Sequence, residues 1–393
     1  MKKAFSFLIL IFISMNSSLH CQEQFTTQPN RAENIQVLLA KNIDEALLEI
    51  KGSHVIFNPQ DGTRISSSMS AKRFMVRATP SGIKWGGEYP GIHQIYVVPK
   101  SKNATVLVNG IEYDGAVAIF KIKNKINIIS DVDIESYLKS TLTPQFPYPL
   151  ENEVMAAIAI AARTTAYSHV KRNKDAFWHV SSDDIGYHGK AIIQPDSHVS
   201  NAVDRTRHLI LVLSQEGENR PFAATWTENS AGKTAAFHSV FRKDWWAPKQ
   251  GVLAPHAALN REESKWSYKI SKKELATLLN ISTIVSVDLY TDLDSKKTYA
   301  VKVKNANESR DIDFEEFQKA IGKENILSND FSVVLRNSEF VFTGYGKGFG
   351  VGLCLHSANY MAQNGDNAAK ILSKFFPDTF LLNLSAMSKM ATK

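Results

Sequence analysis

The chain has 393 residues, of which 44% are hydrophobic, so it can bury a sizeable core as one large or two intimate domains. Its formal charge of +7 is modest, and the densest basic run, Lys171-Arg172-Asn173-Lys174, is short, which argues against a nucleic-acid binder. Two cysteines, Cys21 and Cys354, exclude a disulfide scaffold, and no repeat or low-complexity tract is present.

Lys2 and Lys3, an apolar run over residues 4–15 and the small polar patch Asn16-Ser17-Ser18 stand in the order of a secretory signal. The run is shorter than the roughly 20 residues a bilayer span needs. Residues 1–21 are therefore expected to be a cleaved export signal, with an uncleaved membrane anchor as the alternative. Cleavage after Ser18 and after Cys21 both fit. A lipoprotein reading would instead make Cys21 the lipid-anchored first residue, although His20 before it suits that peptidase poorly. An exported chain that has lost Cys21 has no internal disulfide to form. Its weakly basic charge suits an anionic wall or membrane surface, and ordinary solubilising charge explains the same number.

Residues 22–33 are polar and aperiodic and are expected to be a flexible leader. Residues 34–130 are expected to be rich in short strands, such as 35–39, 53–57, 95–98 and 105–108, with Asn109-Gly110 as a hairpin turn. The clearest helix is expected over 151–169. Glu151 and Glu153 sit in its first turn, where the helix dipole favours carboxylates. Its interior from Val154 to Ala162 is apolar on nearly every side, the mark of a buried central helix. Arg163 interrupts that run and needs an anionic or strongly accepting partner if buried. Residues 209–213 and 222–226 read as strands, and 272–331 as helix, strand, strand, helix. A glycine-rich loop, 344–352, precedes expected helices over 355–364 and 368–376. The expected class is α+β, with a core over 131–384 and a tail over 385–393.

Three segments together resemble the SpoIID/LytB family, named for stage II sporulation protein D. The first runs from Asp133-Ile134-Glu135-Ser136-Tyr137-Leu138 through Pro147 to a helix containing Ala161-Ala162-Arg163-Thr164-Thr165-Ala166. It is similar to the family's element in which a Glu-Met-Pro stretch precedes an Ala-Ala-Arg-Thr helix. The second is the loop Thr227-Glu228-Asn229-Ser230-Ala231-Gly232. The third joins the glycine loop to Ala358-Asn359-Tyr360-Met361-Ala362-Gln363-Asn364-Gly365. The resemblance extends over about residues 35–384.

The resemblance implies a peptidoglycan lytic transglycosylase acting on glycan strands already stripped of peptides. Such chemistry needs one carboxylic acid, which protonates the glycosidic oxygen and then acts as base while the sugar's own 6-hydroxyl closes a ring. No second carboxylate is required, because the nucleophile belongs to the substrate. Here the register places Gln145, in Gln145-Phe146-Pro147, where the family has its glutamate. An amide exchanges hydrogen bonds and delivers no proton to a leaving oxygen. The family's Gly-His-Gly-Val-Gly reads Gly348-Phe349-Gly350-Val351-Gly352, its Ser-Gln is replaced by Cys354 and Leu355, and a helix glutamine by Ile158. Polar positions are lost while the glycines and the apolar frame remain.

The expected function is thus an exported cell-envelope protein that binds glycan strands, with Gln145, Arg163, Asn229, Ser230, Tyr345, Gly348, Gly350 and Gly352 as substrate-contacting candidates. One alternative is an active enzyme in which Glu151, Glu153 or Glu135 replaces the missing acid. Another is a regulator of a wall amidase, acting through surface loops. Plainer roles stand beside these: Glu151 and Glu153 as helix-start carboxylates, Arg163 as a core anchor, the glycine loop as a tight connection, Glu228-Asn229-Ser230 as a turn. Some family members are thought to bind zinc through His and Cys in the region after the helix. This chain has His179, His188, His198 and His208 there with Asp183 and Asp184, at irregular spacing and without cysteine, so no metal or cofactor is expected. Cys354 near His356 reads as a small buried residue rather than a nucleophile. Trp178, Trp226, Trp245 and Trp246 are suited equally to stacking on sugars and to packing.

Overall fold

Short alternating apolar segments build two sheets before any long helix occurs. The computed structural model describes residues 33–386 apart from 102, 216, 244 and 245. The expected signal segment, Cys21, Trp245, the leader up to residue 32 and most of the tail lie outside the described residues.

One sheet has seven strands, in the order Val180–Ser181, Asn34–Ile43, Lys125–Asp133, Ala116–Ile122, Gln94–Pro99, His54–Phe57 and Arg64–Ser68. The other has six, from Ile111–Tyr113 and Thr105–Val108 through Glu45–Lys51 and Lys72–Ala78 to Gly82–Trp85 and Gly87–Pro90. Glu45–Lys51 alternates as the pattern demands, turning Ala46, Leu48 and Ile50 inward. Lys125–Asp133 lies in the middle of its sheet and is buried at every position from Ile126 to Val132. The Asn109-Gly110 hairpin forms between Val108 and Ile111, with both turn residues at positive φ (51° and 84°), the primed geometry that follows strand twist.

That central strand runs straight into helix α1 (Ile134–Leu142). The carboxylate of Asp133 caps it, accepting the N–H groups of Glu135 and Ser136 at 3.1 Å each. Helix α2 spans Asn152–Arg172, three residues beyond the expected end, and buries every residue from Val154 to Thr164. Its last turn carries His169, Lys171 and Arg172, cations or potential cations at the end where the helix dipole favours them. One continuous cluster of buried side chains joins Leu48, Trp85 and Val117 of the sheets to Ile158 of α2 and Leu372 of Ala368–Phe375.

A second core lies within residues 266–342, around Phe317, Val301 and Phe342. Two three-stranded sheets and two helices, Lys272–Leu278 and Phe314–Ile321, enclose it. Three strands separate those helices (Ser286–Thr291, Thr298–Lys304, Ser309–Asp313), one more than expected: the exposed, polar Ser309–Asp313 carries only one buried residue, Ile312, and so shows little apolar alternation. Residues 222–226 also differ from expectation. Only Trp226–Thr227 is strand, paired parallel with Leu353–Cys354. The whole is an α+β fold.

A buried ionic clasp ties the second core to the Thr227–Gly232 loop. Lys297 Nζ donates to Asp330 at 2.7 Å and to the Ser230 carbonyl at 2.6 Å. Arg261 grips both Asp330 oxygens at 2.7 and 2.9 Å and donates to the Ala231 carbonyl at 2.6 Å. Lys297 is 1% exposed, so its charge has little solvent and depends on these acceptors.

Candidate functional site

The turn after α1 carries Gln145 to the surface while anchoring it. Its backbone N–H donates to the Leu142 carbonyl at 3.0 Å, and its side-chain Nε2 donates to the Thr141 carbonyl at 2.9 Å. The next residue, Phe146, turns inward against Trp226, ring centroids 6.1 Å apart, and its carbonyl contacts His198 Nε2 at 3.0 Å. Gln145 is therefore exposed on a fixed base.

Two hollows of about 570 Å³ each meet at this point. Tyr137, Thr141, Thr165, His169 and Asp184 line the first. Tyr148, Glu228, Asn229, His356 and Asn359 line the second. Gln145, Trp226 and Phe349 line both, which joins the hollows into one groove with Gln145 at its centre.

The far wall is stitched from two loops. Asn229 and Lys347 exchange backbone hydrogen bonds, 3.0 and 2.9 Å, and Thr227 Oγ1 donates to the Lys347 carbonyl while accepting the Gly350 N–H. A Cβ on Gly346 would lie 2.4 Å from the Asn229 carbonyl oxygen, and one on Gly352 would lie 2.1 Å from that of Thr225. Both residues also hold positive φ, 78° and 76°. The glycines thus let this loop press against the chain's own segment 225–231. Of the three glycine candidates, Gly348 lines the groove, whereas Gly350 sits against Lys297 and Asn329 and Gly352 against Thr225.

The other candidates divide similarly. Asn229 reaches the groove, its Oδ1 accepting the Ala231 N–H at 2.8 Å. Ser230 is 1% exposed and lies beneath that wall, its N–H directed at the Cys354 sulfur, 3.4 Å away. Tyr345 stacks under the Arg261 guanidinium at 4.1 Å. Arg163 is fully buried: Nε and Nη2 donate to the two Glu135 oxygens at 2.9 and 2.6 Å, and its remaining bonds go to Thr206 and to the Val203 and Leu209 carbonyls. A ligand in the groove does not meet it. Glu153 ion-pairs with Arg205 at 2.9 Å and accepts the Ala368 N–H at 2.8 Å, and Glu151 accepts from Gln363 at 3.4 Å. Neither lines the groove; among the described residues the carboxylates that do are Asp184 and Glu228.

In the sequence Glu228 reads only as part of a loop or turn with Asn229 and Ser230, not as a groove carboxylate. It is exposed and salt-bridged to Lys347 at 2.8 Å. His356 and Asn359 were missed as groove residues because helix Leu355–Gln363 reads as plain amphipathic sequence. His356 Nε2 and Asn359 Oδ1 are buried without a hydrogen-bond partner among the described residues. Burial, and then the neighbouring His256, lower the His356 pKa. In the first hollow, burial followed by Arg172 and His179 pushes His169 down to about 4, so it is neutral at physiological pH. Elsewhere, His179 Nδ1 accepts the Gln36 N–H at 3.0 Å, and Cys354 is fully buried.

Residues 122–213 match the family described as SpoIID, stage II sporulation protein. The match takes in α1, the Gln145 turn and α2, and stops before the Thr227–Gly232 and glycine loops. An uncharacterized protein of Chlamydia pneumoniae is 32% identical over 218 residues, 54% of this chain and 79% of the relative. One of Chlamydia muridarum is 34% identical over 179 residues, 45% of this chain and 62% of its own length. Another, of Brachyspira hyodysenteriae, is 25% identical over 356 residues and covers 87% and 91% of the two chains. The chain belongs to the SpoIID family, as a divergent member with a cell-wall-related function.

Proposed function

We propose that the chain is an exported cell-envelope protein that binds peptidoglycan glycan strands in the groove centred on Gln145, and holds them without cutting. One observation carries this reading: Gln145, Trp226 and Phe349 line both hollows, so an extended polymer crossing the groove passes over an amide where the family has a proton donor. The apolar rings offer faces to sugar rings, and the Gln145, Asn229 and Asn359 amides can exchange hydrogen bonds with hydroxyl and acetamido groups. The basic start and apolar run of residues 2–15 support export.

Glu228 favours a second reading, because it is a carboxylate in the same hollow as Gln145. In that case the chain is a lytic transglycosylase whose acid comes from the opposite wall.

Co-sedimentation with peptide-free glycan strands separates these readings. Binding by the native chain, about tenfold weaker in Trp226→Ala, supports a gripping groove. Equal binding by the two proteins, or none by either, would remove it. New 1,6-anhydro ends that vanish in Glu228→Gln would establish the second reading.

A further inference from the structure

Helix α2 faces the groove with Thr165 and His169, and a separate hollow of about 670 Å³ with Ser168, Lys171 and Arg172. Five cationic side chains line that second space: Lys171, Arg172, Lys174, Arg220 and Lys249. They come from three parts of the chain, namely the end of α2 with the turn after it, strand Glu218–Arg220, and the loop following Trp246. No described acidic side chain lines the hollow. Glu218 pairs with Arg220 from outside the lining.

The helix dipole accounts for Lys171 and Arg172, which occupy the last turn of α2. It does not account for Lys174, Arg220 and Lys249, which lie outside that helix. Bringing them beside two further cations costs Coulomb repulsion that an open surface would avoid. Concave walls lined by one sign of charge focus the field and concentrate counter-ions. The floor is also built rather than loose: the Arg220 guanidinium lies 4.9 Å from the centroid of the Trp246 ring, and the Trp246 Nε1–H donates to the Leu213 carbonyl at 3.4 Å. His238 forms one edge and is shared with an adjoining hollow lined by Arg242, Lys243 and the carboxylate of Asp292.

We propose that this hollow is an anion site for a ligand bearing two or more phosphate groups. Arg172 and Arg220 can donate to phosphate oxygens, Arg220 while sharing its guanidinium with Glu218, and three lysines supply point charges around them. A single carboxylate would bring one negative charge to a hollow lined by five cations. The site is independent of Gln145, and the proposal stands or falls separately from glycan binding.

The test is calorimetric titration of the full chain with inorganic pyrophosphate. Saturable one-to-one binding is expected, weakening with added salt and at least tenfold weaker in Arg220→Gln/Lys249→Gln. Because Arg220 packs on Trp246, the exposed pair Lys174→Gln/Lys249→Gln provides a second variant that keeps the fold, with the same direction of change. Gln145→Ala is expected to bind pyrophosphate as the native chain does. Flotation with diphosphatidylglycerol vesicles, whose headgroup carries two phosphates, against phosphatidylcholine vesicles, identifies the source. Vesicle binding displaced by pyrophosphate assigns the site to lipid headgroups, and pyrophosphate binding without vesicle binding assigns it to a soluble phosphate ligand. Absent or non-saturable pyrophosphate binding, or binding unchanged in both double variants, would overturn the proposal.

Discussion

Arg163 and Glu135 form a two-pronged ion pair in the core, with Nη2 and Nε donating to the two carboxylate oxygens at 2.6 and 2.9 Å and the guanidinium wholly out of solvent. The pair locks α1 to α2, and through the Val203 and Leu209 carbonyls the Arg163 side chain also holds helix His198–Arg205 and strand Leu209–Gln215. Removing one partner strands a buried charge. Arg163→Met or Glu135→Gln is therefore expected to cost about 3–5 kcal/mol in urea unfolding. Glycan binding by the protein that stays folded should be unchanged.

Gln145 donates its amide to the Thr141 carbonyl. A glutamate there keeps that bond only as the protonated acid, and a hydrogen bond to the neutral form raises a carboxyl pKa. In such a variant the Thr141 carbonyl would favour the protonated form of the carboxyl. Gln145→Glu is expected to release 1,6-anhydro ends from peptide-free strands, measured by mass spectrometry. No product would place further losses, such as the family histidine replaced by Phe349, at the heart of the missing chemistry.

Burial by itself would raise the Asp330 carboxyl, but Arg261 and Lys297 outweigh it and hold the pKa below the ordinary 3.8. A depressed carboxyl adds stability that is present above its unfolded value and is lost as pH falls through the folded one. Asp330→Asn should abolish that acid-side loss and destabilise the chain at neutral pH by about 3 kcal/mol, since Lys297 loses its counter-charge. Denaturation midpoints at pH 7, 4 and 3 would show it.

His169 works in a window of its own. Its folded pKa of about 4 lies below the ordinary 6.5, so between those values the unfolded chain carries the extra proton. Stability should rise with pH from about 4 to 6.5 and flatten above. The gain is on the order of 2 kcal/mol after allowance for partial exposure. In His169→Gln the slope should be reduced in the same urea series.

How far the sequence foretold this differs from residue to residue. Helix α2 was legible because nine consecutive apolar side chains leave no polar face, and Asn109-Gly110 because that pair strongly favours a primed hairpin turn. Distance from the helix and the Phe-Pro neighbours single out Gln145 in the sequence, and the side chain lines both hollows. The partners of Arg163 were not legible, since Glu135 lies 28 positions away and only the packing of two helices unites them. Asp184 and Glu228 share the groove through tertiary contacts that no local spacing encodes. The clasp of Lys297, Asp330 and Arg261 was hidden for the same reason, each residue looking like ordinary surface charge in sequence.

Retention of glycan by the native chain tests the central claim most directly. Immobilised protein is incubated with peptide-free strands, washed, and the retained material is weighed by mass spectrometry for length and end groups. Intact strands without new 1,6-anhydro ends are expected. An empty column, or retained strands that carry such ends, would contradict a groove that grips sugar and leaves it whole.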